Sequence, residues 1–343
     1  MQVMEMREAW GIDHIVPGTR PDPGPPQAGE ALIRFEAASL NYRDLVMADH
    51  GYGRMGSLPF IPLSDGAGRV IATGAGVTRC KVGDLVCPTF LQDWISGPLR
   101  EAYRGSTMGG DRDGVMRELA VFPQAGLVKA PRDWTAVEAA TLPCAAVTAW
   151  NAVIGNGTKP GDVVAIEGTG GVSLFALQFA KLAGATVVVT SSSDVKLARA
   201  RAMGADIAIN YRTHPEWARQ LRERAGRGAD LVIDVGGAAT IDQAIRATRA
   251  NGAVALIGVV GGGTAKLELG RVVTQAIRLL AATCGSREMF EDMVRAIDAH
   301  RLKPAIDDRV FGFADVADAL RALRLGQHFG KICLAFAAKT KEP

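Results

Sequence analysis

The chain has 343 residues, of which 48% are hydrophobic, 22% are charged and 40 are glycine, and its formal net charge is +3. This length exceeds the size at which a single hydrophobic core usually stops growing, so two domains are expected. The composition is typical of globular α/β proteins and excludes a disordered or fibrous chain. Because the basic residues alternate with acids and apolar positions, nucleic-acid binding is not expected.

The five cysteines are widely scattered and form no pair at short spacing. Neither a disulfide framework nor a structural zinc site is therefore predicted, and a reducing cytoplasm fits. The opening segment MQVMEMREAW contains early acids, and no window of about 18 residues is uninterruptedly apolar. We expect a cytoplasmic protein without a signal peptide or a membrane span. The cysteines are Cys80, Cys87, Cys144, Cys284 and Cys333.

Residues 1–125 contain short apolar runs separated by glycine and proline, which predict a β-rich domain with irregular loops. Residues 91–114 show no clear hydrophobic periodicity and are predicted to form a long loop on that domain. Trp94 in this loop could form a wall for a planar substrate, and ordinary packing is an equal alternative. The apolar runs are ALIRFEAASL, GRVIATG, GDLVCP and ELAVFP.

After Pro131 apolar strands alternate with longer helical patterns. Strands that alternate with helices predict a parallel sheet covered on both faces, in a doubly wound α/β arrangement. From Arg287 onward two helices and a last short strand, KICLAF, are predicted. The predicted strands are VVAIEG, TVVVTS, DIAINY, DLVIDVGG and AVALIGVV, and the helices between them include LFALQFAKLAG, KLARARAMGA and IDQAIRATRA.

The segment from Gly161 to Ser173 reads as a turn, a buried strand, a glycine loop and a helix start, which is the context of a dinucleotide-binding motif. Gly168 would permit the tight turn, and Gly170 would let the backbone approach a pyrophosphate at the helix N-terminus. Ser173 replaces the third glycine and is small enough for close packing. A purely structural turn is the alternative. The predicted phosphate-binding residues are Gly168, Thr169, Gly170, Gly171 and Val172.

The end of the next strand indicates which dinucleotide binds. An acid there would bind the ribose of NAD, whereas Ser191, Ser192 and Lys196 suit the 2′-phosphate of NADPH. Asp194 argues mildly for NAD but could instead cap the helix that contains Lys196. A serine-rich helix cap with a solvated lysine is the alternative.

Further cofactor contacts are predicted at the ends of the following strands. Tyr211 could lie beside the adenine ribose with Arg212 adding charge, and a surface tyrosine is a comparable alternative. Gly236, Gly237 and Gly258 follow buried strands, where a doubly wound sheet presents its ligand-facing loops.

Six segments resemble the medium-chain dehydrogenase/reductase superfamily, especially its zinc-independent, quinone-oxidoreductase-like branch. The resemblance implies a GroES-like β-rich catalytic domain built from residues 1–125 and 286–343, a Rossmann NAD(P)-binding domain at 126–285, and an active site in the cleft between them. The segments are AASLNYRD (37–44), LPFIPLSDGAGRV (58–70), GVTRCKVGDLV (76–86), EAATLPCAAVTAWNAV (138–153), GTGGVSLFALQFAKLAGA (168–185) and HFGKICLAF (328–336).

The chain departs from the zinc-dependent members of this superfamily at their ligand positions. Those members carry a cysteine where this chain has Asn41, and a His-Glu pair where it has Ser64 and Asp65. Cys144 alone matches a ligand position, and residues 88–118 lack the four cysteines of a structural zinc lobe. One thiolate cannot supply the usual ligand set, so we expect no metal and a Cys144 packed as a small hydrophobe.

Without a metal, the hydride acceptor must be activated by conjugation or by hydrogen-bond donors. Asn41 could orient the nicotinamide or donate to a substrate oxygen, or its amide could satisfy a local turn. Tyr42 could donate a proton or point away. The resemblance implies that the region of Thr148 approaches the cofactor, although its hydroxyl could bond within its helix.

Two acids near these residues are assigned structural roles. Asp44 is expected to cap the helix after LNYRD, and Asp65 to form a salt bridge with nearby arginines.

The predicted function is an NADPH-dependent, zinc-independent oxidoreductase that transfers hydride to a quinone, an enone or a related activated carbonyl compound. The alternatives are a zinc-dependent alcohol or aldehyde dehydrogenase and a non-catalytic NADPH-binding redox sensor. The expected partner is a small-molecule substrate, with neither nucleic acid nor membrane. A homodimer is expected because AVALIGVV and RLLAATCG lie near the sheet edge at which resembling enzymes pair.

Overall fold

The computed structural model describes residues 1–49 and 56–336 and divides the chain into two compact units. The first unit combines Met1–Val147 with the chain from Gly285 onward, and the second is Thr148–Cys284. Both chain ends therefore belong to one unit, as the resemblance implies. The division after Val147 lies later than the expected one at residue 125, because the strand at 127–129 pairs within the first unit.

The first passage through unit one is mostly β-structure, and the four predicted apolar runs form strands there. The short helix α1 begins at Tyr42, where the sequence pattern turns from strand to helix. A π-helical turn, Leu142–Ala146, precedes the helix that leads into unit two. The elements are β1 (Gln2–Met6), β2 (Ile15–Thr19), β3 (Glu30–Ser39), α1 (Tyr42–Ala48), β4 (Asp65–Thr73), β5 (Leu85–Pro88), β6 (Leu119–Pro123), β7 (Leu127–Lys129), α2 (Ala136–Ala139) and α3 (Val147–Val153).

Unit two is a six-stranded sheet with the order β10-β9-β8-β11-β12-β13, and every neighbouring pair is parallel. The helix expected through IDQAIRATRA ends at Ala247, and β12 takes over at Thr248. The elements are β8 (Val163–Glu167), α4 (Gly171–Leu182), β9 (Thr186–Ser191), α5 (Asp194–Ala202), β10 (Ile207–Asn210), α6 (Trp217–Ala225), β11 (Ala229–Asp234), α7 (Ile241–Ala247), β12 (Thr248–Leu256), α8 (Leu269–Thr274) and β13 (Arg278–Ala281).

The last segment returns to unit one with α9 (Arg287–His300), β14 (Ile306–Gly312), α10 (Val316–Leu325) and β15 (Lys331–Ala335). The resulting sheet has the order β14-β15-β3-β4-β5-β7, with β6 also paired to β3. β15 runs antiparallel to β3, and Cys333 lies opposite Ser39. This pairing brings the start of the last strand beside the residues that follow β3.

The two units have separate hydrophobic cores. In unit two all five residues of β8 are buried, which is the pattern of a parallel strand covered on both faces. The fold class predicted from the sequence is therefore confirmed. Within the described ranges, none of the helices combines the length and the apolar character needed to cross a membrane.

Candidate functional site

In the sheet of unit two, the order in which the chain adds strands reverses between the neighbouring strands β8 and β11. From β8 the chain continues to β9 on one side, and from β11 it continues to β12 on the other. The loops that leave the carboxyl ends of these two neighbouring strands therefore lie side by side, at the position where doubly wound sheets bind nucleotides. Residues predicted for cofactor binding lie in both loops, at Gly168–Val172 and at Gly236.

The glycine loop after β8 has the geometry of a phosphate-binding turn. Gly168 has φ +76°, a conformation that other residues rarely adopt. A Cβ added to Gly170 would meet no heavy atom within 4 Å, so the space beside it is open. Since α4 starts at Gly171, its first N–H groups have no partner within the helix. The loop fits the pyrophosphate of a dinucleotide.

Ser173, which stands at the position of the third glycine of the motif, forms a hydrogen bond that glycine could not form. Its Oγ donates a hydrogen bond of 2.7 Å to the main-chain oxygen of Glu167, across the glycine loop. The hydroxyl therefore ties the first turn of α4 to the end of β8. The sequence predicted only its small size.

Gly236 and Gly258 lie where the loops after β11 and β12 pack together. A Cβ on Gly258 would lie 2.4 Å from the main-chain oxygen of Val235, and one on Gly236 would lie 2.4 Å from Oγ1 of Thr240. The loops are also joined by a 2.7 Å hydrogen bond from Gly261 N to Gly236 O. Close packing thus explains both glycines, and their cofactor contacts stay a prediction.

The residues predicted to bind the 2′-phosphate come together at the ends of β9 and β10. The N–H of Tyr211 donates to the main-chain oxygen of Ser191 at 3.1 Å, while the Tyr211 side chain is 42% exposed. Ser192 and Lys196 are partly exposed, and Ser191 is buried. Arg212 is exposed, on the loop just beyond Tyr211.

Asp194 does not cap α5, and the alternative of a serine cap holds instead. The cap is Ser193, whose Oγ accepts from Lys196 N at 3.4 Å. Asp194 is the first helical residue, and its carboxylate accepts a 3.0 Å hydrogen bond from the Asn210 amide.

Two buried acids, Glu167 and Asp234, end β8 and β11 next to these loops, and the sequence analysis missed them. Ile166 and Ile233 are paired across the two strands, so the acids follow at neighbouring positions. Burial, followed by the charge of Asp234, raises the pKa of Glu167 to about 8. Burial also raises the pKa of Asp234. An acid at the end of a strand that is otherwise apolar was the signal in the sequence.

In unit one, Asn41 is the N-cap of α1. Its N–H donates to Oδ2 of Asp44 at 2.7 Å, which completes a capping box. Asp44 was expected to cap a helix after LNYRD, but the helix begins at Tyr42 and Asp44 is its third residue, so Asn41 is the cap and the Asp44 carboxyl only closes the capping box. Burial raises the pKa of this carboxyl to about 6. Tyr42, the first helical residue, is 41% exposed.

Asp65 is fully buried and accepts hydrogen bonds from two groups. Oγ of Ser64 donates to Oδ1 at 2.6 Å, and the N–H of Cys144 donates to Oδ2 at 3.0 Å. Its ion-pair partner is Lys331, with Nζ 3.9 Å from Oδ2, so the expected arginine partner is wrong. Cys144 is partly exposed, which corrects its assignment as a packed hydrophobe.

Lys331 is the residue that sequence reasoning missed in unit one. Its side chain is 2% exposed, and Nζ donates to the main-chain oxygen of Leu40 at 2.5 Å and to Oδ1 of Asn41 at 2.6 Å. Leu40 N bonds to Ile332 O at 2.9 Å, which places the first residue of β15 beside the loop after β3. A lysine at the start of a buried strand was the available signal.

Two further predicted residues have different outcomes. Trp94 is 3% exposed, and its indole N–H donates to Gly97 O at 2.9 Å, so it packs within its own loop instead of forming a substrate wall. Thr148 is buried as the second residue of α3, and its contact with the cofactor stays a prediction.

Comparisons with known proteins agree with this architecture. Residues 27–132 match the family model for the alcohol dehydrogenase GroES-like domain, and residues 171–299 match that for zinc-binding dehydrogenases. A zinc-type alcohol dehydrogenase-like protein of Schizosaccharomyces pombe is 40% identical over 335 residues, covering 95% of this chain and 96% of the relative. The chain is a medium-chain dehydrogenase/reductase.

Solved structures of similar length support the same assignment. A putative alcohol dehydrogenase from Sinorhizobium meliloti is similar with a TM-score of 0.91 and 38% identity, with 98% of both chains covered. An NAD-dependent alcohol dehydrogenase is similar with a TM-score of 0.89 and 32% identity, over 98% of this chain and 100% of the other. This medium-chain dehydrogenase/reductase thus shares its whole fold with structures named as alcohol dehydrogenases, one of them NAD-dependent.

The side chains around Asn41 do not fit a catalytic zinc ion. Zinc sites in enzymes use three protein ligands, mostly thiolate or imidazole, whereas this position offers an amide, a hydroxyl and a carboxylate, with Cys144 as a neighbouring thiol. The Nζ of Lys331 lies 2.6 Å from the amide oxygen, and a fixed ammonium at this distance would repel a divalent cation. Within residues 1–49 and 56–336, no group of three His, Cys, Asp or Glu side chains could hold a metal.

Proposed function

We propose that this protein is an NADPH-dependent, zinc-independent oxidoreductase that reduces a quinone, an enone or a related activated carbonyl compound. The observation that carries the proposal is the 2.6 Å contact between Lys331 Nζ and Asn41 Oδ1, because it places a protein cation against the side chain that stands where zinc-dependent relatives carry a cysteine ligand. An acceptor already activated by conjugation requires no Lewis acid.

In this proposal unit two binds the dinucleotide. The N–H groups of the loop Gly168–Val172 bind the pyrophosphate at the start of α4, and the loops at Gly236 and Gly258 border the nicotinamide end. Thr148 contacts the same cofactor. When bound, the nicotinamide supplies the hydride.

Unit one supplies the group that acts on the substrate oxygen. Asn41 is partly exposed and donates through Nδ2 to the carbonyl oxygen, which gains negative charge as hydride arrives. Tyr42 is the proposed proton donor, since its exposed phenol begins the same helix. No metal takes part in either role.

The preference for NADPH rests on the edge formed by Ser191, Ser192, Lys196 and Tyr211. These residues offer hydroxyls and an ammonium to a 2′-phosphate, and the nearest acid, Asp194, is hydrogen-bonded to Asn210. One similar structure belongs to an NAD-dependent enzyme, so NADH is the competing cofactor.

A zinc-dependent alcohol dehydrogenase is the second candidate, because one matched relative is named a zinc-type alcohol dehydrogenase-like protein and one similar structure a putative alcohol dehydrogenase. It predicts stoichiometric zinc in the purified protein and oxidation of alcohols that chelators abolish. The unsuitable ligands around Asn41 argue against it.

The test begins with metal analysis of the purified protein. NADPH and NADH are then titrated by fluorescence, and quinones, enones and aldehydes are supplied as acceptors with and without EDTA. We expect quinone or enone turnover that EDTA leaves unchanged.

We also expect NADPH affinity to fall on the order of tenfold in Lys196→Ala, with little change for NADH. Tighter NADH binding would refute the cofactor assignment, and zinc-dependent alcohol oxidation would refute the mechanism. Binding without turnover would favour a redox sensor.

A homodimer formed by unit two is also proposed. β13 is an edge strand of the sheet, as expected from RLLAATCG, and Leu269 and Val273 on α8 are 65% and 77% exposed. Pairing across an unpaired edge would cover such apolar side chains. Light scattering coupled to size-exclusion chromatography tests this: a 36.1 kDa particle would overturn it.

A further inference from the structure

We propose that Lys331 is a positioning residue that acts through Asn41: its buried ammonium holds the carboxamide with Nδ2 turned outward as a hydrogen-bond donor. The inference rests on the proposed function, in which Asn41 donates to the substrate oxygen. It deepens that function by naming the residue that orients and strengthens the donor.

The orientation of the Asn41 amide follows from chemistry. The oxygen and nitrogen of an amide are hard to tell apart by shape, but an ammonium can only donate. The amide atom 2.6 Å from Lys331 Nζ must therefore be the oxygen. The nitrogen is then on the opposite side, 3.4 Å from Oγ of Ser64.

Ser64 fixes the direction of the hydrogen-bond chain. Its single hydroxyl hydrogen is used in the 2.6 Å bond to Asp65, so towards Asn41 it presents a lone pair. The chain therefore runs from Lys331 through Asn41 and Ser64 to Asp65. A flipped amide would place an oxygen against a lone pair and an NH₂ against an ammonium.

One N–H of Asn41 remains for a ligand. Nδ2 has two hydrogens, and Ser64 is its one acceptor among the described residues. Asn41 is partly exposed, whereas Lys331 is 2% exposed and its Nζ already contacts two oxygens. The lysine therefore acts through the amide and does not touch the substrate itself.

The charge of Lys331 strengthens this donor. A cation at the amide oxygen draws electron density from the nitrogen, and charge-assisted, linked hydrogen bonds in a buried site reinforce one another. Asp65, with Oδ2 3.9 Å from Nζ, balances the buried charge without removing the lysine from the amide. The arrangement holds a polarised donor ready before a substrate binds.

A double-mutant cycle tests the coupling. In Lys331→Met we expect kcat with an enone or quinone to fall on the order of 10- to 100-fold, with the cofactor Kd unchanged. Lys331→Gln keeps a donor to the amide oxygen and should retain more activity. In an Asn41→Ala background, Lys331→Met should have less than about a twofold effect, because its target is gone. Additive effects would overturn the proposal.

The matched control is Lys303→Met. Lys303 forms a 2.8 Å ion pair with Glu138 in the same unit but is 53% exposed, so its loss should leave kcat unchanged. If Lys331→Met does not fold, the cycle is run with Lys331→Gln.

A spectroscopic measurement separates this inference from the proposed function. With ¹⁵N-asparagine labelling, the Asn41 side-chain resonances are identified by their loss in Asn41→Asp. We expect them to shift in Lys331→Gln and to stay in place in Lys303→Met. Unshifted resonances in Lys331→Gln would overturn the positioning role even if the enzyme is active. A shift in a protein that reduces no acceptor would leave the positioning role standing and refute the function.

Discussion

Both units bury acidic side chains beside the residues assigned to function, but they compensate them differently. Asp65 begins β4, whereas Glu167 and Asp234 end β8 and β11. In unit one Asp65 receives two hydrogen bonds and lies 3.9 Å from an ammonium. In unit two the side-chain oxygens of Glu167 make no hydrogen bond of normal geometry among the described residues. Burial and the charge of the neighbouring acid Asp234 outweigh the weaker hydrogen bonds that lower its pKa. The first cluster places a cation beside its acid, whereas in the second burial raises the pKa of both acids.

This difference has a physical consequence. A buried carboxylate with a cation stays ionised because the partner offsets the loss of hydration. A buried carboxyl beside another acid keeps its proton instead, and burial raises the pKa of Glu167 to about 8. We therefore expect the Asp65 cluster to depend on its lysine and the Glu167–Asp234 pair to depend on pH.

The largest expected effect is the loss of the lysine from unit one. Lys331→Met leaves Asp65 buried without a cation and should lower the free energy of unfolding by about 3–5 kcal/mol, measured by urea denaturation. Adding Asp65→Asn should recover part of this loss. The exposed pair is the control: Lys303→Met should cost less than about 1 kcal/mol. If both lysine variants lost the same free energy of unfolding, the buried Lys331–Asp65 pair would stabilise the protein no more than the exposed Lys303–Glu138 pair does.

Glu167→Gln should change how stability depends on pH. The folded-state pKa of about 8 exceeds the ordinary value of 4.5, so the folded state binds the extra proton between these values. The stability from this group is complete below pH 4.5 and is lost as pH rises through 8, at up to about 1.4 kcal/mol per pH unit. The variant should show a shallower slope in urea denaturation between pH 5 and 8, since the raised pKa values of Asp234 and Asp44 still contribute.

Glu138→Gln is the control for this measurement. Burial acts to raise the Glu138 pKa, but hydrogen bonds from Lys303 and Thr135 outweigh it and leave the pKa lowered. Its contribution is present above pH 4.5 and is lost on acidification. The variant should therefore be less stable at neutral pH but keep the wild-type slope between pH 5 and 8. If the free energy of unfolding depended on pH in Glu167→Gln as it does in the wild type, the proposed protonation of the Glu167–Asp234 pair would be wrong.

The glycine loop of unit two contains two glycines that we expect to be required for different reasons. Gly168 is required by its backbone conformation, and Gly170 is required by the bound cofactor. Gly168→Ala must adopt φ +76° and should cost about 1–2 kcal/mol of stability. Gly170 has φ −83° and open space at its Cβ, so Gly170→Ala should cost little stability but weaken NADPH binding in a fluorescence titration. Equal effects on binding and stability in both variants would contradict this division.

Much of unit two could be predicted from the sequence because local signals agree there with tertiary structure. Buried strands such as VVAIE and LVID alternate with helices, and parallel sheets require that order. The loop at Gly168 and the edge at Ser191 and Tyr211 followed from the position of each motif at a strand end. These residues lie close together in the structure as the chain order required.

The polar cluster of unit one could not be predicted because its members are far apart in sequence. Asn41 and Lys331 are 290 positions apart and meet only because β15 pairs with β3. The arginine expected beside Asp65 was wrong for the same reason, since short-range charge patterns do not report long-range strand pairing. The cap of α5 stayed open between Asp194 and the preceding serines, because Ser and Asp are equally good caps, and the structure shows that it is Ser193.

The smallest expected effect concerns Ser173, which links the glycine loop to the acid pair. Its hydroxyl donates to the main-chain oxygen of Glu167 at 2.7 Å, so Ser173→Ala should lose about 1 kcal/mol of stability in urea denaturation. Ser173→Gly should lose up to about 1 kcal/mol more, since glycine is the poorer helix former.

The same variants test whether the protonation of Glu167 and Asp234 depends on the hydrogen bond from Ser173 to the main chain of Glu167. Because the hydroxyl bonds to the main chain of Glu167 and not to its carboxyl, Ser173→Ala should keep the wild-type pH slope, and its cost should add to that of Glu167→Gln. A slope that disappears in Ser173→Ala would mean that the hydroxyl holds the carboxyl in its buried position. In that case the proton in unit two would depend on an orienting side chain, as the donor at Asn41 is proposed to depend on Lys331.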